Sequence, residues 1–250
     1  MIRMSREPSS PTHLFVIIAA AGQGRRMGGA SGKQLIPIRG IPVLARTLLA
    51  FEAFCAKMRE TDDFRMHGIL VTSEESTVAV QNLCDEYKIS FVERVVTGGA
   101  TRQESVWNAI CVLPFLTRAP SADDIVLVHD GARCFVDFDT ILRCFHGAQE
   151  HGVCTAAVPV KDTIKQVDSV ETCRVTATPD RSKLYVIQTP QAFKYSLLTE
   201  SYTSGQKEKR SATDDTSLAE AIGHPVFIVE GSYSNIKITT KEDLLWAELL

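Results

Sequence analysis

Residues 14–33 read LFVIIAAAGQGRRMGGASGK, and this stretch decides the fold. Leu14 to Ala20 is an unbroken apolar run, which suits a strand buried on both faces of a parallel sheet. It passes directly into a glycine-rich loop, where backbone N–H groups can approach phosphate oxygens without side-chain obstruction. Arg25, Arg26 and Lys33 add positive charge to that loop. Two common phosphate motifs fail here. A GxGxxG pattern would need glycine at Met27, and a Walker pattern would need glycine at Met27 and Ser or Thr at Gln34, so a dinucleotide-binding dehydrogenase and a P-loop ATPase are both disfavoured. A solvated glycine-rich connection is the competing reading. The loop's place at the end of a buried strand weighs against it, because open α/β sheets form their ligand crevice at the carboxyl ends of their strands.

Beyond this stretch, strand and helix signals alternate. Pro42 to Phe54 reads as a helix opened by proline, and Gly68 to Thr72 as a strand. A helix follows from Ser73 to Tyr87, then a strand over Ile89 to Val96 and a helix over Thr101 to Val112. Asp124 to His129, Phe138 to Glu150 and Val153 to Val160 repeat strand, helix and strand. The alternation predicts a doubly wound, mostly parallel α/β sheet with right-handed crossovers. Residues 161–186 break the rhythm with short polar and β-branched pieces, which predicts a protruding β-hairpin. A two-stranded ribbon alone is marginal in water, so the hairpin is expected to pack as an arm on a second subunit, with a mobile surface hairpin as the competing reading. Helical patterns resume near Leu197 and over Asp214 to Ala221, followed by a strand at Val226 to Val229 and a closing helix at Lys241 to Leu250.

Composition narrows the class. With 44% hydrophobic and 23% charged residues in a 250-residue chain, one globular domain over 14–250 is expected. Residues 1–13, with Pro8, Pro11, Ser5, Ser9 and Ser10, read as a disordered tail lacking the apolar centre of a secretory signal. No apolar run approaches the length of a membrane span. The formal net charge of -3 points to neither nucleic acid nor an anionic membrane as partner. Seven cysteines without a CxxC pair fit reduced thiols in a cytoplasmic protein.

Two further segments fall at the same sheet edge. Gly98-Gly-Ala-Thr-Arg-Gln-Glu-Ser105 lies between a strand and a helix, with Thr101 as N-cap and Glu104 completing a capping box. Its paired glycines and small polar groups could contact a base or ribose, and a helix N-terminus attracts anions. His129-Asp-Gly-Ala-Arg133 places Asp130 at a strand end, where a carboxylate could hold a magnesium ion or a substrate hydroxyl, or form a local ion pair with its arginine. His129, ending a buried strand, reads as a satisfied structural residue rather than a general base.

The ordered set AAGQGRRMG, GKQ, GGATRQESV, VHDGAR, PVKDTIK, TPDRSKLYVIQTPQAF, TDDTS and VEGSYSNIKIT resembles the 2-C-methyl-D-erythritol 4-phosphate cytidylyltransferases from about Leu14 onwards. The resemblance implies a nucleotidyltransferase-like Rossmann variant that moves CMP from CTP to an alcohol phosphate, with Mg²⁺ held mainly by the triphosphate. It implies that Arg26 and Lys33 stabilise the transition state and that Ala20, Ala21, Gly22 and Gly24 form a backbone cradle. Gly99, Ala100, Ser105 and Gly131 resemble the cytidine positions. Asp130, Arg133, Thr163, Arg181 and Lys237 resemble the acceptor site, with Arg181 and Lys237 next to the attacking phosphate and Thr163 and Arg181 reaching across a homodimer. A related family uses ribitol 5-phosphate as acceptor, but TPDRS and VKDTIK favour methylerythritol. A non-catalytic nucleotide-binding module would have no need of Arg26, Lys33 and Lys237 together. Two positions depart from the family pattern: Gly131 replaces the usual alanine, which loosens the backbone, and Cys134 replaces a common proline, which removes a φ restraint.

Overall fold

The computed structural model describes residues 11–22, 33–61 and 63–250. The expected tail therefore lies outside the described residues up to position 10. The strand β1, Thr12–Ala19, begins two residues earlier than the apolar run suggests. Its alternation explains that run, since Leu14, Val16 and Ile18 enter one core cluster while Phe15 and Ile17 enter the other. Both faces are thus covered, as a central parallel strand requires.

After a short antiparallel pair, β2 (Pro37–Ile38) and β3 (Ile41–Pro42), the helix α1 spans Val43–Arg59. The chain then forms β4 (Phe64–Thr72), α2 (Thr77–Glu86), β5 (Val92–Thr97), α3 (Arg102–Val112) and β6 (Ile125–Asp130). α4 (Phe138–His151) and β7 (Val153–Pro159) follow. The hairpin strands β8 (Gln166–Val167) and β9 (Val175–Ala177) pair antiparallel. Then come β10 (Tyr185–Lys194), α5 (Tyr195–Lys207), α6 (Thr216–Ala221), β11 (Phe227–Glu230) and α7 (Lys241–Ala247).

Seven strands form one sheet in the order β11-β7-β10-β6-β1-β4-β5. One helix layer, with α1, α2 and α4, packs Leu44, Phe51, Val80, Ile141 and Phe145 against one face. The opposite layer, with α3, α5 and α6, contributes Val106, Ile110, Leu198, Tyr202 and Leu218. From β1 the chain winds outward through β4 to β5, then returns to place β6 on the other side of β1. That reversal lies between β1 and β6, and the carboxyl ends of strands at such a switch point form a crevice. Register brings the edge together, because Ala19 is the partner of both Val71 and Asp130.

One strand escapes the sequence reading. β10 lies between β6 and β7 and is antiparallel to both, where the sequence suggested only the hairpin's end and a following helix. Its centre carries Gln188, Thr189, Pro190 and Gln191, a set that reads as a turn. The register breaks between Ile187 and Gln191, which accommodates the proline. Gln188, Thr189 and Gln191 are nonetheless buried, and each finds polar partners from other segments. Tyr185 and Val186 consequently pair with Pro159 and Val158 as part of the main sheet rather than the arm. Among the described residues no helix is long and apolar enough to cross a membrane, and all seven cysteines are free.

Candidate active site

A cleft of about 690 Å³ opens at the carboxyl edge beside β1, β4 and β6. Of the residues singled out from sequence, Ala21, Gly22, Gly99, Ala100, Ser105, Asp130 and Lys237 line it. Gly24 and Arg26 fall outside the described residues, and Lys33 is described only in its backbone. Ala20 is buried and donates its N–H to Val71 O at 2.7 Å, so it serves the sheet edge.

One wall is built from backbone and small side chains. A Cβ at Gly98 would stand 2.4 Å from Ala21 Cβ and 2.7 Å from Ser105 Oγ, and one at Gly99 would stand 2.4 Å from Glu104 Cβ. Glycine is what lets this loop press against the loop after β1. The Ser105 hydroxyl donates to Thr101 O (2.8 Å) and accepts from Gly99 N–H (3.1 Å), closing the turn. Thr101 caps α3 as expected, accepting from Glu104 N–H at 3.0 Å. The Glu104 carboxylate accepts from Ala100 N–H at 2.7 Å, one residue before the position a capping box would use.

The other wall is charged. Asp130 Oδ1 accepts from Arg102 Nε at 2.9 Å, Asp130 Oδ2 lies 2.7 Å from Lys237 Nζ, and Arg133 Nε stands 3.7 Å away. Burial pushes the Asp130 carboxyl upward, but Arg102 and Lys237 override it and hold the group well below the usual carboxylate range. Arg102 also grips Asp215 through both terminal nitrogens at 2.8 Å, and Tyr202 Oη donates to Asp215 Oδ1 at 2.5 Å. Burial opposes the Arg102 charge, yet the two carboxylates stabilise it further. Arg102, Asp215 and Tyr202 were missed as site residues. Arg102 and Asp215 lie within recognisable motifs, GGATRQES and TDDTS, but nothing local signals that side chains 113 residues apart meet.

Arg133 turns away from the cleft. Its terminal nitrogens donate to Asn235 O (2.8 Å) and Ile187 O (3.3 Å), so it ties the β6 loop to the segment carrying Lys237. Gly131 donates to Ala19 O and accepts from Thr47 Oγ1, both at 2.9 Å. A methyl carbon there would press on Gln34 Oε1 at 3.0 Å. Cys134 is buried against Ile38, Val43 and Ile238. Hydrogen bonds and packing therefore hold this loop, where a proline would have done so through φ.

His129 is fully buried and has a defined tautomer. Arg133 O can only accept, so Nε2 donates to it (3.1 Å), and Nδ1 accepts from the Thr189 hydroxyl (3.0 Å). Thr189 Oγ1 in turn accepts from Asp130 N–H at 3.1 Å. Burial lowers the His129 pKa to about 4. The ring is a neutral strut that sets Asp130.

Thr163 and Arg181 lie off this cleft, on exposed parts of the hairpin region, and Arg181 Nη1 donates to Lys161 O at 3.0 Å. The hairpin presents Val170 at 85% and Val175 at 52% exposure.

Comparison with known proteins agrees with this geometry. The family model IspD, 2-C-methyl-D-erythritol 4-phosphate cytidylyltransferase, matches residues 14–250. A 2-C-methyl-D-erythritol 4-phosphate cytidylyltransferase of Halalkalibacterium halodurans is 40% identical over 94% of this chain and 95% of its own length. One from Alkaliphilus oremlandii is 42% identical over 93% and 92%. The crystal structure of a 4-diphosphocytidyl-2C-methyl-D-erythritol synthase from Anaerococcus prevotii superposes with a TM-score of 0.77 at 30% identity, covering 95% of this chain and 97% of that one. With the match spanning every strand of the sheet and both walls of the cleft, the chain belongs to the 2-C-methyl-D-erythritol 4-phosphate cytidylyltransferase family.

Proposed function

We propose that this chain, with residues 14–250 as one catalytic domain, transfers CMP from CTP to 2-C-methyl-D-erythritol 4-phosphate. The products are 4-diphosphocytidyl-2-C-methyl-D-erythritol and pyrophosphate, within non-mevalonate isoprenoid biosynthesis. The observation that carries this reading is the meeting, in one cleft also lined by Glu74 and Glu75, of a wall of glycine and small residues with a wall bearing Lys237, Arg102 and Asp130. Such a site suits a nucleotide read by backbone groups and an anionic acceptor aligned by charge.

An oxygen of the acceptor phosphate attacks the α-phosphorus. The bond from that phosphorus to the bridging oxygen breaks, and pyrophosphate leaves with the electron pair. Both reactants are anions, so the protein's task is alignment and charge neutralisation without a protein nucleophile. Arg26 and Lys33 take the charge developing on the α-phosphate and leaving group, while Ala21, Gly22 and Gly24 cradle the triphosphate and Ala20, its N–H spent on Val71, anchors the cradle to the sheet edge. Gly99, Ala100 and Ser105 hold the cytidine, and Gly131, its N–H and C=O engaged by Ala19 and Thr47, steadies the β6 loop. Asp130 and Lys237 organise the acceptor, with Lys237 facing its phosphate, and Arg133 acts from outside the cleft by tying the β6 loop to the segment that carries Lys237.

Magnesium, riding mainly on the triphosphate, would offset its negative charge. The donor set fits that placement. Among the described residues no group of three His, Cys, Asp or Glu gathers to hold a metal, and both Asp130 oxygens already meet cations. Thr163 and Arg181 we assign to the cleft of a second copy, reached by the hairpin, whose exposed valines favour burial in a homodimer. The free thiols suit a reducing cytoplasm.

Pyrophosphate release tests the reading. Release should require CTP, 2-C-methyl-D-erythritol 4-phosphate and Mg²⁺ together, and should fall sharply when UTP or ATP replaces CTP. Release independent of the acceptor would contradict it. Sedimentation should find a dimer that dissociates when Val170 and Val175 are both replaced by Asp; a monomeric wild-type chain would remove the composite site.

A further inference from the structure

We propose that Arg102 is a positioning residue for the acceptor: by gripping Asp130 and Asp215 at once, it locks the acceptor wall to the nucleotide loop from which it springs. The inference rests on the proposed cytidylyl transfer and assigns it a further element.

Arg102 is the first residue of α3, immediately after the Gly98–Thr101 turn. Its side chain leaves that turn and reaches β6, through Nε to Asp130, and α6, through the bidentate pair with Asp215 at its N-cap. The two carboxylate side chains are 8% and 1% exposed, whereas the guanidinium side chain is 28% exposed and lines the cleft. A pair serving stability alone gains little from this arrangement, since a buried ionic cluster is often no more stabilising than apolar residues of the same volume.

Geometry gives the arginine a more specific task. Asp130 Oδ1 takes Arg102 and Oδ2 takes Lys237, so the plane of the carboxylate is fixed from one side by Arg102. Lys237 is the cation facing the acceptor, and its ammonium is held where Asp130 puts it. Asp215 and Tyr202 stand behind the arginine and outside the cleft lining, and their hydrogen bonds keep the guanidinium from turning. Three elements far apart in sequence thus converge on one planar group. A lysine could supply the charge but not the fork, because one ammonium lacks the fixed planar donors needed for both carboxylates.

The test separates positioning from folding and from the underlying activity. Asp215→Asn, Tyr202→Phe, Arg102→Lys and Arg102→Gln would be compared with the wild type. Steady-state kinetics give KM for the acceptor, titration calorimetry gives CTP affinity without acceptor, and thermal melting reports stability. Asp215→Asn should raise the acceptor KM by about tenfold, the scale of one charge-assisted hydrogen bond, while leaving CTP affinity within about twofold. Tyr202→Phe should move acceptor KM in the same direction by less, and its smaller perturbation keeps the test open if Asp215→Asn does not fold. Arg102→Lys should fail to restore the KM lost in Arg102→Gln. Wild-type acceptor KM in Arg102→Lys, or acceptor KM and CTP affinity declining in parallel with melting temperature, would overturn the proposal. A wild-type protein that binds CTP but does not turn over the acceptor would instead refute the proposed function.

Discussion

Gly98, Gly99 and Ala21 meet across one wall of the cleft with almost no side chain between them, whereas Asp130, Arg102 and Lys237 form the other wall from charged groups, with Asp215 buried behind them. Apart from Ala21, the first wall is made of neighbours in sequence. Its hydrogen bonds, from Ser105 to Thr101 and Gly99 and from Ala100 to Glu104, span at most six residues. The second wall is held by contacts across 28 and 113 residues. A backbone wall fixes shape at low cost in side-chain entropy, which suits a flat base. A charged wall can respond to an incoming anion, but each member depends on its partners.

The largest effect should come from the charges proposed to serve the reacting phosphates. Lys33→Ala and Lys237→Ala should each lower turnover by about 10²–10³-fold, the usual scale for removing one transition-state contact. Lys237→Ala should do so with CTP affinity unchanged, because Lys237 pairs with Asp130 and not with the backbone wall. Loss of CTP binding in that variant, measured by calorimetry, would break the division between the two walls.

A smaller and opposite signature is expected on the backbone wall. In Gly98→Ala the added methyl meets Ala21 Cβ at 2.4 Å, so the two loops must part. Overpacking of this kind costs about 1–3 kcal/mol, and the variant should weaken CTP affinity while the acceptor KM changes little. Equal weakening of both substrates would show that the walls move as one body.

A further effect, on stability rather than on either substrate, concerns the strut beneath the charged wall. His129 has a folded pKa of about 4 against 6.5 in an unfolded chain, so on acidification the unfolded chain takes up the proton first. Its contribution is complete above pH 6.5, is lost as pH falls from 6.5 to 4, and is level below. The difference corresponds to about 3 kcal/mol. Urea unfolding at pH 7 and pH 4.5 should show a loss of this sign that His129→Gln reduces; an equal loss in the variant would assign the pH dependence to other groups.

The same contrast explains what was legible in the sequence. The LFVIIAA strand, the glycine loops and the N-cap at Thr101 are written in short windows, so period, turn chemistry and capping disclose them. Asp130 and Lys237 were legible through their motifs and do meet. β10 was not, because a central strand carrying Pro190 and three buried polar residues contradicts strand propensity and is stabilised by partners elsewhere. Arg102 stayed hidden for the same reason. Its motif was visible, but its partners lie on β6 and α6, and only the folded sheet edge makes them adjacent. The hairpin was visible as a break in the alternation, and the structure adds β8 and β9 while returning Tyr185 and Val186 to the main sheet.

The central claim is the choice of acceptor by the charged wall. Its most direct test places CTP, Mg²⁺ and equal amounts of 2-C-methyl-D-erythritol 4-phosphate and ribitol 5-phosphate in one reaction and follows the products by phosphorus NMR. The account predicts that 4-diphosphocytidyl-2-C-methyl-D-erythritol accumulates first and in large excess. Predominant formation of the cytidylylated ribitol would contradict it.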